Sequence, residues 1–112
     1  MDTEQARELL AQERARIEQA IAELAEDDEQ GVDEQGEPGE LGSEELYEKE
    51  LDTGLAEDLA EQLVAIERAE ARLAAGTYGL SVDSGVAIPD ERLRALPSAE
   101  RTVEEEEQAR GR

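Results

Sequence analysis

The sequence predicts a mainly α protein: an antiparallel coiled-coil hairpin followed by a small C-terminal module. Three observations predict it. Two long stretches, residues 4–27 and 43–75, carry apolar residues at seven-residue intervals. A single segment rich in Gly and acids separates them. The last third then changes to short alternating runs broken by Gly and Pro.

The first helix is predicted over residues 4–27. Leu10, Ile17 and Leu24 recur at one heptad position, and Ala6, Ala20 and Ile21 fill the same side. Glu13 and Arg14 interrupt this coiled-coil-like stripe. Asp2 can cap the helix, with Gln5 at the capping-box distance. Residues 27–42 hold four glycines, one proline and seven acids, so they are predicted to be an acidic tip loop. A loop of that length is commonly functional or disordered.

Ser43 is a good cap for the second helix, and Glu44 and Glu45 suit its positive end. Leu59, Ile66 and Leu73 recur every seven residues, with Leu55, Leu63 and Ala69 beside them. Gly54 is a weak point inside, and Gly76 is placed to stop the helix. Two such stripes joined by one loop predict a hairpin with a paired part roughly 35 Å long. The other arrangement of the same stripes is pairing with a second copy.

From Thr77 to Ile88 the alternation and two glycines predict a small β-hairpin or knuckle. Pro89 can open a short helix through Ala95, closed before Pro97. Ser98 is the expected cap of a last helix that includes Glu104–Glu107. The domain division predicted is therefore 1–76 for the hairpin and 77–112 for the module.

Composition narrows the function. The chain has 112 residues, 38% of them apolar, with no Phe, Trp, His or Cys, and Tyr47 and Tyr78 are its aromatics. Thirty-two acids against eleven bases give a net charge of −21. Such a surface repels phosphate, so neither direct nucleic-acid binding nor an anionic membrane is expected. It attracts a basic partner surface, or serves solubility alone. No apolar run is long enough to span a bilayer, and the acidic start Met1-Asp2-Thr3-Glu4 is unlike a signal peptide. The cytoplasm is the expected compartment. Without His or Cys, no general base or nucleophile suited to neutral pH is present, and an enzyme is not expected. The Asp27-Asp28-Glu29 run and the four consecutive glutamates could bind divalent cations weakly, but no segment fits a calcium-loop pattern. No cofactor and no specific metal are expected.

Ala74-Ala75-Gly76-Thr77-Tyr78-Gly79-Leu80 resembles the helix exit of the DksA/TraR family, where Gly-Thr-Tyr-Gly precedes a first Cys-x-x-Cys. Ile88-Pro89-Asp90-Glu91-Arg92-Leu93-Arg94-Ala95-Leu96-Pro97 is similar to that family's inter-cysteine segment. Leu41-Gly42-Ser43-Glu44-Glu45-Leu46-Tyr47-Glu48-Lys49-Glu50-Leu51-Asp52 looks like the opening of the second coil helix in one branch of the family. The likeness covers about residues 36–106. It places the family's four zinc ligands at Ser81, Ser84, Thr102 and Glu105, so the frame persists without its thiolates. Hydroxyls are poor zinc ligands beside thiolates, and these side chains are expected to hydrogen-bond locally in turns. The module should then fold on Leu80, Val82, Val86, Ile88, Leu93, Leu96 and Val103, against the base of the coil.

The resemblance also implies a function: a non-enzymatic transcriptional regulator whose coiled-coil tip enters the secondary channel of RNA polymerase. The family's acidic tip motif, D-x-x-D-x-A, falls here on Glu37, Glu40 and Gly42, with both acids lengthened and Ala changed to Gly. The fold class is thus mainly α, an antiparallel coiled-coil hairpin with a small degenerate zinc-finger-like module. The chain is expected to be monomeric, with RNA polymerase as partner. The competing reading is an acidic interaction module, or nucleic-acid mimic, for another basic partner.

Overall fold

The structure, a computed structural model, describes the backbone of residues 1–35 and 43–111, and the side chains of residues 1–26 and 51–111. Among the described residues four helices follow one another: α1 (Thr3–Gln35), α2 (Ser43–Ala75), α3 (Asp90–Ala95) and α4 (Val103–Arg110). The chain divides into two compact units. Met1–Arg14 and Val64–Arg112 form the first, and Ala15–Leu63 the second.

α1 starts where the cap requires. The Asp2 carboxylate accepts the Gln5 amide at 2.8 Å, and the Asp2 carbonyl accepts the Ala6 amide at 3.0 Å. Its end differs from the sequence expectation, because the helix continues through Gly31 to Gln35. The acid and glutamine residues of 27–35 are compatible with helix, one glycine costs only about 1 kcal/mol, and the first proline comes at Pro38. α2 runs from Ser43 to Ala75 as expected. Gly76, at φ +80°, turns the chain out of it. The Thr77 amide donates to the Arg72 carbonyl at 2.9 Å and the Gly76 amide to the Leu73 carbonyl at 3.2 Å. That pair of bonds is a Schellman closure, which consumes two of the carbonyls a helix end leaves open.

In the first unit, Ala6 and Leu10 of α1 and Ile66 and Ala69 of α2 are buried. Arg14 spans the two helices to Glu70 at 2.6 Å. In the second unit, Ile17 and Leu59 are buried, Leu24 and Leu63 are half-buried, and Arg16 reaches Gln62 at 3.2 Å. Residues far apart in sequence thus meet on antiparallel helices within each unit, which is the expected hairpin pairing.

The C-terminal module belongs to the first unit, together with the outer ends of α1 and α2. The module has a small core of Ile88, Leu93 and Ala99, with Tyr78 and Met1 packed against it. The Met1 ammonium also pairs with Asp90 at 3.0 Å. Two of the seven expected core residues, Ile88 and Leu93, are buried. Leu80, Val82, Val86, Leu96 and Val103 are 40–52% exposed. About 36 residues cannot enclose seven aliphatic side chains, and Met1, Tyr78 and Ala99 supply the missing contacts.

Candidate functional site

The first knuckle is a turn rather than a strand pair. The Ser81 amide donates to the Val86 carbonyl and the Ile88 amide to the Gly79 carbonyl, both at 2.8 Å. The one ladder contact is an isolated antiparallel bridge between Leu80 and Ala87. Gly79 and Gly85 adopt φ +86° and +78°, where a side chain would be strained. The Gly79 position is also close to Leu93, whose Cδ1 would lie 3.6 Å from an added Cβ.

Ser81 is the one buried polar residue among those described. Its Oγ accepts the amides of Asp83 at 3.1 Å and Ser84 at 3.3 Å. The Ser84 Oγ accepts the Val86 amide at 3.4 Å. These are the turn hydrogen bonds expected of the two positions. Thr102 differs: it is the N-cap of α4, and its hydroxyl accepts the Glu105 amide at 3.2 Å. The Glu105 carboxylate returns the bond by accepting the Thr102 amide at 2.9 Å, completing a capping box. The expected cap, Ser98, lies inside a turn in which the Ala99 amide donates to the Leu96 carbonyl, and α4 starts five residues after Ser98.

The four positions converge. Val82 donates its amide to the Glu100 carbonyl at 2.9 Å, and Arg101 Nε donates to Asp83 Oδ2 at 2.7 Å. These bonds set the first knuckle against Glu100 and Arg101, just before α4. The Thr102 amide, followed by the hydroxyls of Ser84 and Ser81, holds the Glu105 carboxyl down to a pKa of about 2. This donor set does not fit zinc. The Ser81 and Thr102 oxygens already accept amide hydrogens, and neither hydroxyl is a thiolate. Among the described residues, no group of three or more His, Cys, Asp or Glu side chains is placed to hold a metal ion.

Beside this cluster lies an ion-pair network that sequence reasoning missed. Glu100 Oε1 accepts Arg68 Nε at 2.7 Å and Arg72 Nη1 at 3.0 Å, tying α2 to the module. Burial pushes the Glu100 carboxyl up, but the hydrogen bonds and charges of the two arginines outweigh it and its pKa lies below the ordinary value. The Arg68/Arg72 spacing on one helix face was the available signal. Tyr78 also serves the joint: its hydroxyl donates to the Pro97 carbonyl at 2.7 Å, and burial, against the opposing charge of Arg72, raises its pKa. The tip positions Glu37, Glu40 and Gly42 lie outside the described residues.

No family model matches the chain. Over 62 residues, 55% of its length, it is 45% identical to the uncharacterized protein YteA of Bacillus subtilis (strain 168). That stretch is 26% of YteA, so the chain spans about a quarter of the curated relative it matches. Among solved structures it superposes on the transcription factor DksA2 from Pseudomonas aeruginosa with a TM-score of 0.80. The match covers 97% of this chain and 83% of that one, at 22% sequence identity. The chain has the DksA fold. The protein Dks from Chlamydia trachomatis is a looser match, with a TM-score of 0.47 and 23% identity over 93% of this chain and 90% of that one. Within the DksA fold, hydroxyls and a carboxylate stand here at the positions that the family resemblance assigns to the metal ligands. Among the described residues, no helix is long and apolar enough to cross a membrane.

Proposed function

We propose that the chain is a zinc-independent member of the DksA/TraR family that regulates transcription by binding RNA polymerase. Its acidic coiled-coil end enters the secondary channel, with Glu37 and Glu40 near the catalytic centre. It acts in the cytoplasm, as a monomer, by contact rather than by catalysis, and without a cofactor. The observation that carries this reading is the fold match over 97% of the chain to a transcription factor. Charge supports it too: no Lys or Arg lies between Arg16 and Lys49, so that part of the sequence is uniformly acidic and suited to a basic channel.

The test uses purified RNA polymerase. Wild-type protein is expected to bind it at low salt and to alter output in a reconstituted transcription assay. Glu37→Ala combined with Glu40→Ala is expected to keep binding while changing that output. Failure of the wild type in both assays would overturn the reading. The net charge of −21 favours one other reading, an acidic module or nucleic-acid mimic for a different basic protein. Capture from lysate of a basic nucleic-acid-binding protein, without polymerase subunits, would support it.

A further inference from the structure

We propose that the Glu100-Arg101 dipeptide is an electrostatic clasp that seats the module on α2 and closes the first knuckle as one cooperative unit, so that releasing the seat also loosens the knuckle.

The two residues carry opposite charges and serve different elements. The Glu100 carboxylate accepts Arg68 Nε at 2.7 Å and Arg72 Nη1 at 3.0 Å, both from α2. Arg101 Nε donates to Asp83 Oδ2 of the knuckle at 2.7 Å, and its Nη1 lies 3.8 Å from Glu106 Oε1 of α4 and 4.0 Å from Glu100 Oε2. The backbone of the same two residues adds to this. The Glu100 carbonyl accepts the Val82 amide of the knuckle at 2.9 Å, and the Arg101 carbonyl accepts Arg92 Nε of α3 at 2.8 Å. One dipeptide therefore touches α2, the knuckle, α3 and α4.

Burial decides which of these bonds dominates. The Arg72 and Glu100 side chains are 15% and 19% exposed, whereas those of Arg68 and Asp83 are 55% and 53% exposed. Exposed pairs stabilise little by themselves. The Arg72–Glu100 pair is costly to break from one side only. Arg72 Nη2 is already buried with no hydrogen-bond partner, and loss of the Glu100 charge would strand the whole guanidinium. Groups in one such network couple rather than add.

Independent ion pairs make a different prediction, because each substitution then affects its own contact. Amide hydrogen exchange on the full chain separates the two. Glu100→Gln is expected to speed exchange of the Ser81, Val82 and Ile88 amides about fivefold or more, although the hydrogen bonds it weakens run to α2. Adding Arg72→Gln to Glu100→Gln is expected to restore part of that protection, because no charge is then stranded. Acceleration confined to the last turn of α2 and residues 99–102, with the knuckle amides at wild-type rates, would overturn the proposal. Arg68→Gln is the milder variant and leaves Glu100 paired with Arg72, so it answers the question even where Glu100→Gln unfolds the module. It is expected to speed the same three amides about twofold. Unchanged rates there would overturn the proposal independently.

Discussion

Thr102 and Glu105, which the family resemblance aligns with metal ligands, cap a helix with their side chains. Thr102→Ala removes the cap acceptor and is expected to lower stability by about 1 kcal/mol in denaturant unfolding. Glu105 makes the module pH-sensitive in a defined direction. Its pKa falls from 4.5 to about 2 on folding, so its contribution is complete above pH 4.5 and is lost as pH drops through about 2. Glu100, also lowered, acts in the same direction. Protonation simultaneously relieves the repulsion within a chain of net charge −21, so the clean measurement is a difference. The stability gap between wild type and Glu105→Gln is expected to be constant above pH 4.5 and to shrink toward pH 2. The Thr-x-x-Glu signature of this cap was present in the sequence. The same two residues fall where the family resemblance places metal ligands, and Ser98 offers a competing cap a few residues earlier.

At the scale of elements, the helix starts at Asp2 and Ser43 and the stop at Gly76 were legible because each rests on a local rule. Gly76→Ala tests that locality. No atom lies within 4 Å of the added Cβ, so the cost is conformational, about 1–2 kcal/mol for a side chain at φ +80°. Thermal unfolding should show it without any change in the module's contacts. The end of α1 was less legible. Four glycines over residues 27–42 argued for a loop, whereas Gly31 stands alone among residues that tolerate helix, and the chain remains helical to Gln35. The module's core was legible only in part, because alternation identifies apolar residues but not which of them a small unit can enclose. Met1, far away in sequence, left no signal there. The convergence of positions 81, 84, 102 and 105 makes its own prediction. Ser81→Cys, Ser84→Cys, Thr102→Cys and Glu105→Cys together are expected to create a site for one zinc per chain, visible by cobalt substitution and elemental analysis. Wild-type protein is expected to hold none through dialysis against a weak chelator.

For the whole molecule, charge governs encounter and packing governs fold. Among the described residues none of the acids is buried; the buried ones are Ala, Leu and Ile apart from Ser81 and Pro97. The acids dominate what a basic partner meets from a distance. Under the proposed function, association with polymerase is expected to slow steeply as salt rises from about 0.05 to 0.5 M, while dissociation changes less. Stopped-flow measurement of both rates checks this, and an unchanged association rate would remove the steering role of the charge. The sequence displayed that charge plainly. It did not display the ion pairs of Arg68 and Arg72 with Glu100, or of Met1 with Asp90, within the unit of Met1–Arg14 and Val64–Arg112.

A knuckle whose turn is closed by serine hydroxyls in place of thiolates has a chemical consequence. Thiolate metal knuckles are dismantled by chelators, which take the ion, and by peroxides, which oxidise the sulfurs. Neither reagent has a target at Ser81, Ser84, Thr102 or Glu105. The chain's one sulfur is the thioether of Met1, whose side chain is only 3% exposed and packs beside Ile88, Leu93 and Ala99. The module should keep its shape in an oxidising, metal-starved cell that would open a thiolate knuckle.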